Sequence, residues 1–190
     1  MRVFIAVIIL IFSLQSWTKA EDIRDFEIEG MSIGDSLLDY FSENEIKNDK
    51  SKYNYPKSNK FTLWVPSNKS YENYDAVQVH FKTNDTKYII HAIDGHIYYF
   101  ENIEKCYPKK KEIYNDIKQI FPNTEVLNNK TKHQLDNKSI VDQSIFTLNR
   151  GYVALECYDW SKKLEDQYGD KLSLGITTAE FMDWITYDAY

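Results

Sequence analysis

Positive charge is scarce in this chain. Its 190 residues carry 23 Lys and Arg against 29 Asp and Glu, a net charge of −6. Without a basic face there is no electrostatic footprint for phosphate, so no nucleic-acid partner is expected. Glycine and proline are also few, six and four, which excludes collagen-like and low-complexity architectures. Missing too are a Gly-x-Ser-x-Gly elbow, a P-loop, a dinucleotide-binding glycine turn and a His-Glu-x-x-His pair. Nothing in the sequence therefore calls for a cofactor or a metal. What remains, 43% hydrophobic and 15% aromatic residues, suits a folded chain of a single domain.

Only the N-terminus holds a long apolar run. Arg2 precedes ten apolar residues at 3–12, and a short polar stretch then leads to Thr18-Lys19-Ala20. Small residues three and one positions before Glu21 match a signal peptidase site. The run is shorter than the roughly twenty apolar residues a bilayer span needs. The expectation is a signal peptide at 1–20 and one domain at 21–190, with an uncleaved anchor as the alternative. Cleavage removes Arg2 and Lys19, leaving 21 basic against 29 acidic side chains, a balance of −8. Such a chain is expected in the periplasm or secreted, with no stable membrane insertion.

Cysteine is nearly absent, and its two copies are informative. Cys106 and Cys157 are the only thiols. In an oxidising compartment they are expected to form one structural bridge, with two buried free thiols as the alternative. No Cys-x-x-Cys pair exists to suggest redox catalysis.

The periodicity of the chain predicts α+β: an antiparallel meander with helices packed on one face and a single disulfide. Residues 76–81 alternate, residues 83–86 turn, and residues 87–93 alternate again. Asp94-Gly95 has the composition of a two-residue hairpin turn, which makes residues 96–100 the return strand. Ser32 and Asp35 suggest a capped helix carrying Ile33, Leu37, Leu38 and Phe41. The polar stretches at 42–60 and 123–143 read as loops. Helical spacing runs from Ile103 through Cys106, Ile113 and Ile117 to Phe121. Residues 144–148 and 152–158 form a second hairpin, and residues 171–176 a last strand. Thr177-Thr178-Ala179-Glu180 then caps a helix carrying Phe181, Trp184 and Ile185.

Four candidate sites follow from residue chemistry. His91 and His96, with Tyr98, fall on one face of the expected hairpin. His80 on the preceding strand makes a third imidazole, so zinc is conceivable, though no Cys or carboxylate stands at ligand spacing and ordinary histidines are favoured. Tyr98, Tyr99, Phe100, Tyr152, Tyr158 and Trp160 either fill the core or line a groove for a sugar or peptide. Four Asn-x-Ser/Thr triplets, at Asn68, Asn84, Asn129 and Asn137, matter only in a eukaryotic secretory route.

Ile33-Gly34-Asp35-Ser36-Leu37 resembles the first block of the GDSL hydrolases, and the resemblance implies Ser36 as nucleophile. The family's later Gly-x-Asn-Asp and Asp-x-x-His blocks are missing, and no His follows His133. Residues 28–37, the Cys106 helix and Glu156-Cys157-Tyr158-Asp159-Trp160-Ser161 together resemble small exported proteins of SAR11-type marine alphaproteobacteria. Gly30-Met31-Ser32 before a meander is also similar to periplasmic domains of the BamE and β-lactamase-inhibitor type, which implies a binding module. The sequence thus reads as an exported binding protein for an unknown protein, peptide or glycan, using the sheet face with His91, His96 and Tyr98. A Ser36 hydrolase is the alternative.

Overall fold

Eight antiparallel strands share one sheet in a computed structural model that describes residues 22–190 apart from Asn68 and Glu101. The expected signal peptide and Asn68, the first residue of its triplet, lie outside the described residues. The strands are β1 (Lys52–Asn54), β2 (Phe61–Trp64), β3 (Ala76–Lys82), β4 (Ile90–Tyr98), β5 (Glu125–Lys132), β6 (Ile140–Leu148), β7 (Gly151–Asp159) and β8 (Lys171–Thr178). Their order, β1-β2-β3-β4-β8-β7-β6-β5, joins two four-stranded meanders at the β4–β8 seam. The expected α+β class holds, but the sheet is larger than the single meander expected.

Alternation assigns the two faces. Val153, Leu155 and Cys157 of β7 are buried on one side with Val77, Val79, Ile93, Leu172 and Ile176 of neighbouring strands. Onto this side packs the helix α2 (Cys106–Ile120), through Cys106, Ile117 and the following Phe121. Each such buried Ile, Leu or Phe contributes about 1.5–3 kcal/mol. Pro108 is tolerated because it lies in the first turn, where no intrahelical donor is lost. The Cys106–Cys157 disulfide ties α2 to β7, with Cα atoms 6.1 Å apart.

Short helices α1 (Glu43–Asn48) and α3 (Glu165–Tyr168) lie in the connections, and α4 (Ala179–Tyr187) follows β8. Ser42 and Glu45 close a capping box on α1, and the Thr178 hydroxyl accepts from Phe181 N at the start of α4. Phe181 and Trp184 of α4 form a second cluster with Tyr55, Phe61, Ala92 and Ala189. Ala92 pairs with Thr177, and Thr177 with Tyr152, so this cluster lies on the side opposite α2. Phe181 and Trp184 of α4 therefore lie on the side of the sheet opposite Cys157.

Several local expectations are corrected. Asp94 and Gly95 are not a turn: they lie inside β4, opposite Gln78 and Val77 on one side and Gly175 and Leu174 on the other. The true β3–β4 turn is residues 83–89, where the Asp85 carboxylate accepts from Lys87 N and Ile89 N. The helix expected from Ser32 is replaced by turns and a 3-10 turn at Leu37–Asp39. Gly34 has φ +95, outside the helical region, and its amide donates to Ile90 O while Ile90 N donates to Asp35 O. Pairing with the start of β4 wins over local helix propensity. The loops expected at 42–60 and 123–143 contain α1 and β1, and β5, respectively.

Candidate binding face

The side of the sheet opposite α2 carries an unusual density of ionisable groups. Along β4 it presents Ala92, Asp94, His96 and Tyr98; along β8, Lys171, Ser173, Gly175 and Thr177; along β7, Ala154, Glu156 and Tyr158. His80 joins from β3, its Nδ1 3.8 Å from Asp94 Oδ2. Cross-strand register sets Tyr98, Lys171 and Tyr158 in one row, and His96, Ser173 and Glu156 in the next.

The three residues expected to bind do reach this side, by a route the sequence conceals. His91 and His96 are five positions apart on one strand, which ordinarily sends them to opposite faces. A β-bulge intervenes: His80 pairs with Ala92 and Phe81 with Ile90, leaving His91 unpaired. The extra residue turns His91 toward Phe61 (ring centroids 5.2 Å) and Glu180 (3.8 Å). Part of this face is covered. His96 is 3% exposed and His80 5%, and Tyr55 from the 42–60 segment packs against His80, Trp184 and Tyr190.

Burial sets the protonation of this group. It lowers His80 and His96 to about 3, so both imidazoles are neutral across the physiological range. Burial pushes the Asp94 carboxyl up to about 7, with the Glu156 charge adding and Lys171 opposing. Glu156 is also raised by burial, against the hydrogen bond that Tyr158 donates to its Oε2 at 2.8 Å. Lys171 is lowered by burial. The Asp94 side chain nonetheless keeps 28% accessibility, so water reaches it.

Stacked aromatic rings adjoin the Tyr98–Lys171–Tyr158 row. Tyr98 stacks on Phe100 at 5.0 Å, and Tyr158 on Trp160 at 5.6 Å, with Tyr168 stacked beyond at 4.8 Å. Lys171 Nζ lies 5.9 Å from the Tyr98 ring and 5.7 Å from the Tyr158 ring. Gly169 (φ +65) is where the chain bends past Tyr98 and Phe100, and a Cβ there would press into both rings. No family model, curated protein or solved structure matches this chain. The site is therefore judged on its own chemistry.

Sequence reasoning missed Asp94, Glu156 and Lys171. Asp94 was hidden by its resemblance to a turn residue. Glu156 carried a usable signal, because it stands between Leu155 and Cys157 in an alternating strand whose other face is also covered.

Ser36 lies elsewhere and is engaged. Its hydroxyl donates to Lys87 O at 2.6 Å and accepts from Leu38 N at 3.2 Å, capping the 3-10 turn. Among the described residues no imidazole hydrogen-bonds to it, whereas a serine nucleophile is normally activated by such a base. Among the described residues no three His, Cys, Asp or Glu side chains gather in a metal-holding group.

Proposed function

We propose that the chain is an exported binding protein that engages a protein, peptide or glycan through the face bearing His91, His96 and Tyr98. The observation that carries this reading is the row Tyr98–Lys171–Tyr158, half-buried and flanked by stacked aromatics, with the accessible Asp94 side chain two rows away on the same face. Rigid aromatic side chains give contact area at low entropic cost, and a few fixed polar groups give orientation. Export is supported by the signal-like residues 1–20, and the Cys106–Cys157 bridge is compatible with an oxidising compartment. The resemblance to small exported proteins of marine alphaproteobacteria points the same way.

The test is a screen of peptide and glycan arrays with the wild-type protein and with Tyr98→Ala/Tyr158→Ala. Ligands of this face are expected to lose at least about tenfold in affinity in the double variant. They should be retained by Tyr187→Ala, which alters an exposed residue of α4. Ligands indifferent to the double variant would overturn the assignment of the face. N-terminal sequencing of protein recovered from the periplasm of a bacterial host should begin at Glu21, and a chain retaining Met1 in the membrane fraction would overturn export.

A further inference from the structure

A cleft of about 480 Å³ opens beside β2, a volume within the range of small-molecule sites. Trp64, which lines it, pairs with Val79, so its ring lies on the α2 side of the sheet, opposite His96 and Tyr98. Phe41 packs edge-on against that ring with centroids 4.9 Å apart, and Pro66 adds to the apolar wall. Asp49 clasps together the two chain segments that form the walls. Its Oδ1 accepts from Ser51 N at 2.9 Å and Ser51 Oγ at 2.6 Å. Its Oδ2 accepts from Ser67 N at 3.3 Å and Ser67 Oγ at 3.0 Å. These bonds fix the shape of the cleft.

What the cleft has to spare is donors. The four bonds to Asp49 take up its lone pairs. Glu45 Oε2 accepts from both Ser42 N and Ser42 Oγ at 2.7 Å, and the Tyr40 hydroxyl donates to Asp35 at 2.6 Å. Trp64, by contrast, is 1% exposed, and its buried Nε1 has no hydrogen-bond partner. Polar groups taken this far from water are normally satisfied. Lys50 and Lys69 line the same cleft, and among the described residues no carboxylate lies within 4.0 Å of either Nζ. Lys69 Nζ lies instead 4.7 Å from the centre of the Phe41 ring.

Spare donors call for an acceptor. A cation would find the Asp49 oxygens occupied and would meet two ammonium groups. A carboxylate can accept from the ammonium groups and the indole, and such charge-assisted bonds are the stronger kind. The two lysines offset the charges of Asp49 and Glu45, and the aromatic wall suits an apolar body behind the carboxylate. We propose that this cleft binds a small carboxylic acid with an aromatic or aliphatic body, its carboxylate on Lys50, Lys69 and Trp64 Nε1 and its body against Phe41 and Pro66. The site is separate from the face bearing His91, His96 and Tyr98 and stands independently of it.

The test titrates the purified protein by calorimetry with phenylacetate, indole-3-acetate and octanoate, each beside its uncharged amide. At least one acid is expected to bind with Kd between about 10 μM and 1 mM, and its amide about tenfold or more weakly. Lys50→Gln/Lys69→Gln should weaken the acid by about tenfold or more, with thermal unfolding close to wild type because both lysines are exposed. Trp64→Phe, which removes the buried donor, should weaken it by about threefold or more. The lysine variant decides the assignment even if Trp64→Phe unfolds. No binding by any of the three acids at millimolar concentration overturns it. So does equal binding of the amide, or an affinity unchanged in either folded variant. An acid that keeps its affinity for the lysine variant and loses it for Tyr98→Ala/Tyr158→Ala belongs to the other face and overturns this inference alone.

Discussion

Gly175 of β8 faces Asp94 of β4 so closely that a Cβ on Gly175 would run into the Asp94 Oδ1. The missing side chain on one strand is the space in which the carboxyl on the next strand sits. Gly175→Ala is expected to lower stability by about 1–3 kcal/mol, the usual range for overpacking. Adding Asp94→Ser, a shorter side chain, should recover part of that loss. Urea titration of the two single variants and the double variant measures the coupling, and strict additivity would refute it.

Burial of Asp94 also fixes how stability responds to pH. A carboxyl raised in the folded state from its ordinary 3.8 to about 7 contributes stability that is intact below about 4. That contribution is lost as pH rises through about 7. Asp94→Asn should therefore be more stable than wild type at pH 8, by about 1–4 kcal/mol. The difference should close near pH 4. Chemical denaturation at the two pH values decides it.

The neighbouring imidazoles act in the opposite sense. His96 has an ordinary value of 6.5 and about 3 when folded, so its contribution is present above about 6.5 and lost as pH falls toward 3. His96→Gln should flatten that acid limb and make the protein more acid-tolerant than wild type. An unaltered limb, measured by thermal unfolding between pH 6.5 and 4, would count against a neutral buried His96.

The disulfide closes a loop of 51 residues. By the chain-entropy relation, Cys106→Ser/Cys157→Ser is expected to cost about 4 kcal/mol. Intact mass in the absence of reductant should show two hydrogens missing, and free thiols that alkylate fully would refute the bridge.

Ser36→Ala removes a cap and the donor to Lys87 O. A loss of about 1 kcal/mol in stability is expected. Any ester hydrolysis by the purified protein should be unchanged, and activity that disappears in this variant alone would restore the hydrolase reading.

The parts legible in the sequence are those where local pattern and tertiary role agree. β3, the β6–β7 hairpin and α2 bury apolar side chains at regular spacing, and β8, buried on both sides, still alternates Leu172, Leu174 and Ile176 with Ser, Gly and Thr, so their apolar spacing shows. β5 could not be read, because nearly every one of its side chains is exposed and no alternation arises. Asp94-Gly95 carries strong turn chemistry, yet Gly95 is needed where a Cβ would strike the Tyr74 ring. Its glycine answers a long-range packing demand that a window of a few residues does not contain. For the same reason His91, His96 and Tyr98 were reachable as a group, while their setting among Asp94, Glu156 and Lys171 was not. That setting depends on β8 inserting between β4 and β7, a pairing between distant parts of the chain.

Glu156, Cys157 and Tyr158 are consecutive, and they point alternately to opposite sides of the sheet. A slip of one residue in β7 would carry Glu156 into the apolar layer and swing Cys157 away from Cys106. Only the register that presents the carboxylate and phenol correctly lets the sulfurs meet. Oxidation therefore proofreads the opposite surface: a molecule whose bond has closed carries Glu156 and Tyr158 on the side away from Cys157.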